Sequence, residues 1–161
     1  MNYKKEHFIV TRENRLKLED LLSDETIFSL ANGTLGTRGH FIEGYGTSDD
    51  PITLMNGFYN QYPFRYEENY EGFPQLGQTI VNLPDGSYVK IEIDNDVIDL
   101  SHMDLVSIKR SLNMLQGTSY REVRYISEKG YIFDLVEKKM VTSKRNLIVT
   151  KLDISSPNYQ G

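Results

Sequence analysis

Over its second half the chain alternates apolar and polar residues with a period of two, the pattern of strands that have one wet face. Ile148, Thr150, Leu152 and Ile154 fall on one side of such a strand, and Lys151 and Asp153 on the other. Segments 105–115, 118–127, 131–142 and 146–155 share the pattern, separated by Gln116-Gly117, Glu128-Lys129-Gly130 and Ser143-Lys144-Arg145. That spacing predicts antiparallel sheet. Upstream, Val89, Ile91 and Ile93 alternate with Tyr88, Lys90 and Glu92 behind the turn-forming run Leu83-Pro84-Asp85-Gly86-Ser87. A hairpin of segments 79–83 and 87–94 is the prediction there. Only segment 14–22 offers a helix, through Leu18, Leu21 and Leu22. Segment 56–74 has many aromatic residues, two prolines and no sustained period, and reads as a long ordered loop.

A different pattern occupies segment 25–45, where Gly33, Gly36 and Gly39 recur every third residue among strand-forming residues, followed by Gly44 and Gly46. Glycine weakens either a helix or a strand, so such a run belongs where the backbone bends sharply or another segment packs close. The segment is predicted to be a structural junction, with Arg38 and Glu43 held in ion pairs or a domain contact. A phosphate loop is not expected, because no Lys-Ser/Thr pair and no following helix accompany the glycines.

Composition narrows the function classes. A length of 161 residues suits one domain spanning 1–161. The net charge is -5 and the basic residues are scattered, which speaks against a nucleic-acid partner. Without cysteine there is no disulfide, thiolate metal site or cysteine nucleophile, and a cytoplasmic location is expected. No apolar run is long enough to span a bilayer, so no membrane association is expected. His7, His40 and His102 lack metal-ligand spacing, and no metal site is expected. The carboxylates Asp49-Asp50, Glu67-Glu68 and those of 94–96 read as solvated charge, because neighbouring side chains on an extended backbone diverge. No serine occupies a G-x-S-x-G setting, so no catalytic residue is assigned. The aromatic segment remains. Tyr59, Tyr62, Phe64 and Tyr66, with Tyr70 and Phe73, suit either stacking on sugar rings or filling an interface.

Read in order, ETIFSLANGTLGTRGHFIEGY, LMNGFYNQYPFRYEENYEGFPQLGQTIVNLPDG and RSLNMLQGTSYREVRY resemble the amino-terminal domain of glycoside hydrolase family 65. That family includes maltose, kojibiose, nigerose and trehalose phosphorylases and some hydrolases. The resemblance implies a large twisted antiparallel β-sandwich similar to galactose mutarotase, continuing beyond Gly161 as part of a longer enzyme. The partner would be the parent's own helical-barrel catalytic domain, which carries the acid glutamate and the phosphate site. The parent would then be an inverting phosphorylase that uses inorganic phosphate as co-substrate, needs no cofactor, acts on an α-linked glucose disaccharide and forms a homodimer; the alternatives are a family 65 hydrolase, in which an activated water replaces phosphate, and a carbohydrate-binding or dimerisation module without catalytic contribution. The 161-residue chain itself is expected to be inactive. His40, where the family pattern has asparagine, and Ala31, where glycine is common, depart from it.

Overall fold

The computed structural model describes residues 8–44, 52–68, 70–144 and 146–160. His7, Gly46 and Asp49-Asp50 therefore lie outside the described residues. The described chain is mainly antiparallel β. It begins with β1 (Ile9–Glu13), α1 (Leu18–Ile27), β2 (Leu30–Ala31), β3 (Leu35–Thr37), β4 (Thr53–Pro63) and β5 (Leu76–Asn82). The rest comprises β6 (Glu92–Ile93), β7 (Asp96–Val97), β8 (Asp104–Asn113), β9 (Thr118–Ile126), β10 (Ile132–Val141) and β11 (Ile148–Ser155). A five-stranded sheet runs β1-β8-β9-β10-β11, a four-stranded sheet β2-β3-β4-β5, and β6 with β7 forms a small ribbon.

The four alternating segments of the second half become β8 to β11, a meander whose turns at Gly117 and Gly130 take positive φ. Ile108, Val123, Tyr125 and Leu135 point from this sheet into the core. Leu21 of α1, Phe41, Ile91, Ile98 and Met103 meet them there. The helix and the segments around Phe41 and Ile91 thus cover the inner face of the large sheet.

Three local expectations need correction. The helix starts at Leu18 rather than Asn14 and runs to Ile27, because Asn14 takes φ 51° at the end of β1 and its N–H donates to Ile108 O at 2.8 Å. Its buried face is Leu21, Asp24 and Glu25, so two carboxylates sit where the helical period would call for apolar residues. That disguised the period.

The segment read as a loop from 56 to 74 is a strand as far as Pro63. Its outer half is exposed on both faces, leaving no alternation to read, and a register shift between Leu54 and Tyr59 accompanies Gly57 at φ 96°.

The hairpin of 79–83 with 87–94 does not form. β5 pairs with β4 instead, and the chain after it leaves the sheet, with Val89 N–H donating to Ile42 O. Asp85 closes its own local turn by accepting from Ser87 N–H at 2.9 Å. The actual hairpin is β6 to β7, across Asp94 and Asn95 at φ 51° and 64°, a turn that needs two left-handed residues.

Candidate functional site

Two features could carry function: the buried junction that 25–44 makes with the large sheet, and an aromatic arm built by β4, β5 and the loop between them.

At the junction the glycines do separate jobs. Gly33 takes φ +88°, a left-handed turn between β2 and β3. Gly36, within β3, lies against Ala31, where an added Cβ would stand 3.3 Å from Ala31 Cβ. Gly39 permits the closest packing, since a Cβ there would sit 2.8 Å from Phe28 Cβ and 3.0 Å from Phe28 O. Arg38 reaches back to α1, donating to Thr26 Oγ1 at 2.9 Å with Glu25 Oε2 at 3.8 Å.

Glu43 is fully buried and accepts from Arg121 Nη1 at 2.7 Å, Arg121 Nη2 at 2.5 Å and Tyr125 OH at 2.7 Å. Arg121 also donates from Nε to Glu137 Oε2 at 2.7 Å, and Lys139 Nζ lies 3.1 Å from Glu137 Oε1. The Arg121 guanidinium lies 4.3 Å from the Phe41 ring centroid. Arg110 donates to Gly39 O and lies over Phe28 and Phe41. Arg38 thus faces Glu25 and Glu43 is paired with Arg121, both contacts lying within the chain.

The electrostatics follow from burial and pairing. Burial would raise the Glu137 carboxyl, but Arg121 and then Lys139 outweigh it and hold it down at about 2. Burial and the neighbouring Arg121 charge bring Arg110 down to about 10. Burial and then Glu43 push the Tyr125 hydroxyl well above its usual range. Burial opposes the charge of Arg121, yet Glu43 and Glu137 raise its pKa. Glu137 ionises near 4.5 when exposed, so its contribution to stability is fully present above that pH and lost as pH falls through about 2. Denaturant titrations should accordingly show stability falling below pH 4.5, and Glu137→Gln should flatten that limb.

This cluster cannot serve as an acid and base pair. Its carboxylates are locked by Arg121, and the nearby cavity between Gly39, His40, Arg110 and Lys139 is only about 10 Å³, room for one water. His40 Nε2 stands 3.3 Å from both Asp85 Oδ2 and Ser87 Oγ. Ser87 Oγ gives its proton to Asp85 at 2.7 Å, so the trio is a buried hydrogen-bonded contact and not a nucleophilic triad. Burial and then Lys139 lower the His40 pKa, against Asp85 and Glu25. His102 is exposed and pairs through Nδ1 with Asp99 at 2.8 Å. Among the described residues, no three His, Asp or Glu side chains converge as metal ligands, and no helix is long and apolar enough to cross a membrane.

On the arm, Tyr62 lies flat on Gly77, where an added Cβ would be 2.5 Å from its ring. Tyr62 meets Phe64 edge-on at 5.4 Å, and Phe64 stacks with Tyr66 at 5.8 Å. Tyr66 meets Phe73 at 5.1 Å, and Phe73 meets Tyr70 at 5.4 Å. The rings thus form one continuous exposed ladder. Tyr59 stands apart, donating to Asn56 Oδ1 beside a shallow trough over Gly33, Gly36, Leu54 and Ile80. The ladder rings meet at mixed angles and use their faces on one another, so they do not make a flat platform for a sugar.

Sequence reasoning did not single out Arg110, Arg121, Tyr125, Glu137 or Lys139. The signal was present in the alternation. Arg121 shares the inward parity of Val123 and Tyr125, and Glu137 and Lys139 share that of Leu135.

Residues 11–161 match the family described as glycosyl hydrolase family 65, N-terminal domain. The chain belongs to that family. Its sequence is 31% identical over 156 residues to an α,α-trehalose phosphorylase of Thermoanaerobacter brockii, spanning 94% of this chain and 20% of that protein. A kojibiose phosphorylase of Halothermothrix orenii is 28% identical over 153 residues, spanning 94% of this chain and 18% of the relative. Among solved structures, a protein described as a kojibiose phosphorylase from the human microbiome superposes with a TM-score of 0.80 at 19% identity, over 95% of this chain and 20% of that one. The family 65 chain therefore shares the fold of that structure and spans about a fifth of the length of these relatives.

Proposed function

We propose that this family 65 domain is the accessory amino-terminal part of an inverting phosphorylase that cleaves an α-linked glucose disaccharide. Inorganic phosphate would be the co-substrate, and β-glucose 1-phosphate and a free sugar the products. In that scheme an acid in a separate helical catalytic domain protonates the glycosidic oxygen while phosphate attacks the opposite face of the anomeric carbon. This domain contributes no reacting group. It buttresses the catalytic domain, and the aromatic arm is the surface that does so.

The observation that carries the accessory role is the exposure of the outer half of β4 and of β5 apart from Gly77, with an unbroken ladder of rings. A ribbon that buries neither face has little to hold it on its own, and apolar patches of this extent mark contact surfaces. The phosphorylase names of the relatives support the reaction class.

The test is sugar release by the intact gene product with maltose, kojibiose, nigerose and trehalose, with and without phosphate. Phosphate-dependent β-glucose 1-phosphate from one sugar is the expected result, with none from the 161-residue chain alone. Cleavage indifferent to phosphate would make the parent a hydrolase. Turnover by the chain alone would overturn the accessory role.

A further inference from the structure

The chain carries the pairs Asn32-Gly33 and Asn56-Gly57, and the fold treats them in opposite ways. In such a pair the glycine nitrogen can close a five-membered ring on the asparagine side-chain carbonyl, because no Cβ shields it. Asn32 is held against this. Its Nδ2 donates to Thr142 O at 2.7 Å, and its Oδ1 accepts from the N–H groups of Thr34 at 2.9 Å and Leu35 at 2.8 Å. Both ends of the amide are fixed, and closing the ring would break these bonds.

Asn56 is exposed, and among the described residues only Tyr59 binds its side-chain amide, the hydroxyl donating to Oδ1. The Asn56 N–H anchors the main chain to Thr34 O at 2.8 Å. Beyond that anchor the ladder to β5 lapses. Leu54 pairs with Asn82 and Tyr59 with Ile80, so residues 55–58 are looped out against Val81. Gly57 lies in this bulge at φ +96°, with nothing within 4 Å of where a Cβ would stand. A solvated amide, an unshielded neighbouring nitrogen and a hydroxyl on the amide oxygen thus meet in an irregular piece of strand.

We propose that Asn56 is a site of spontaneous deamidation, assisted by Tyr59. Solvent hydroxide removes the Gly57 amide proton, and Gly57 N attacks Asn56 Cγ. The negative charge that develops on Oδ1 is met by the Tyr59 hydroxyl. The Cγ–Nδ2 bond then breaks, and Nδ2 leaves as ammonia with a proton from water, which restores the hydroxide. A second water opens the resulting succinimide, at Cγ to give aspartate or at the main-chain carbonyl to give isoaspartate. Isoaspartate lengthens the main chain by a methylene, which a bulge absorbs and a paired strand would not. Either product places a carboxylate on the trough beside Tyr59, at the root of the aromatic arm. Every group involved lies within β2 to β5, so the modification is independent of the phosphorylase reading.

Peptide mapping by mass spectrometry, after incubation of the 161-residue chain at mildly alkaline pH, tests this. Asn56 is expected to deamidate while Asn32 in the same molecules keeps its amide, and isoaspartate should be among the products. In denaturing urea the two should convert at similar rates, since each is then an Asn-Gly pair in an open chain. Tyr59→Phe should slow the conversion of Asn56 in the folded chain about threefold or more, the rate equivalent of one ordinary hydrogen bond. The same variant should leave circular dichroism and the rate in urea unchanged. Equal conversion of the two asparagines in the folded chain, a persistent Asn56 amide, aspartate without isoaspartate, or a Tyr59→Phe rate equal to wild type would each overturn the proposal. The wild-type outcomes decide even if the variant misfolds, because Asn32 and Asn56 are compared within one sample.

Discussion

Replacing Arg121 by methionine is expected to cost about 3–5 kcal/mol of folding stability, the range for removing one partner of a buried ion pair. The guanidinium answers two carboxylates at once, Glu43 through two hydrogen bonds and Glu137 through a third. After the substitution Tyr125 still donates to Glu43 and Lys139 still faces Glu137, but each carboxylate has lost its strongest counter-charge. Domains of this size are stable by only about 5–15 kcal/mol, so a large part of the total is at stake. Urea denaturation of the isolated chain would measure it. The pH dependence should change sign as well. In the wild type the paired Glu137 favours the folded state at neutral pH. In the variant, burial dominates and raises the folded-state carboxyl above its exposed value, so stability is lost as pH rises and recovers on acidification. A variant no more stable at pH 5 than at pH 7 would show that the carboxylates find other partners.

The second large effect is expected at Gly39. An alanine Cβ there would press against Phe28 Cβ at 2.8 Å, Phe28 O at 3.0 Å and Arg110 Nη2 at 3.0 Å. Two of these three obstacles lie close to the main chain at the end of α1 and cannot rotate away. Overpacking of this kind costs about 1–3 kcal/mol. Gly36→Ala supplies the control, because its Cβ would meet Ala31 Cβ at 3.3 Å, a contact that a few tenths of an ångström relieve, and Leu30 O at an ordinary 3.8 Å. Denaturation midpoints should therefore rank wild type and Gly36→Ala close together and Gly39→Ala well below. An equal loss at both positions would mean that propensity, not close approach, governs this segment.

The meander of β8 to β11 was legible because each strand buries one face and wets the other. The junction at 25–44 was legible from its glycines, which structure assigns to a left-handed turn and to close approaches. Where reading failed, polar residues stood in apolar positions or a segment buried neither face. Asp24 and Glu25 hid the second half of α1, and the doubly exposed outer half of β4 gave no period. Pro84-Asp85-Gly86 suggested a hairpin, but strand pairing is decided by which partner is available, and β4 had claimed β5. The buried charges of β9 and β10 were not singled out, because alternation assigns a face without saying which face is wet. The aromatic cluster was recognised, but neither its ring contacts nor the separation of Tyr59 from it could be read from spacing alone.

The pairing of Glu43 with Arg121 spans 78 residues of sequence, and that of Arg110 with Gly39 spans 71. The turns that join β8 to β9 and β9 to β10 are short by comparison, so their ladders close with little loss of chain entropy. Folding that follows this difference completes the meander first, leaving Arg110 and Arg121 solvated on an open face, and docks the glycine junction afterwards. Desolvation of those charges is then deferred until their carboxylate and carbonyl partners arrive together. A misplaced junction would leave Arg110 without Gly39 O and Arg121 with Glu137 alone, so native docking is what completes both arginines.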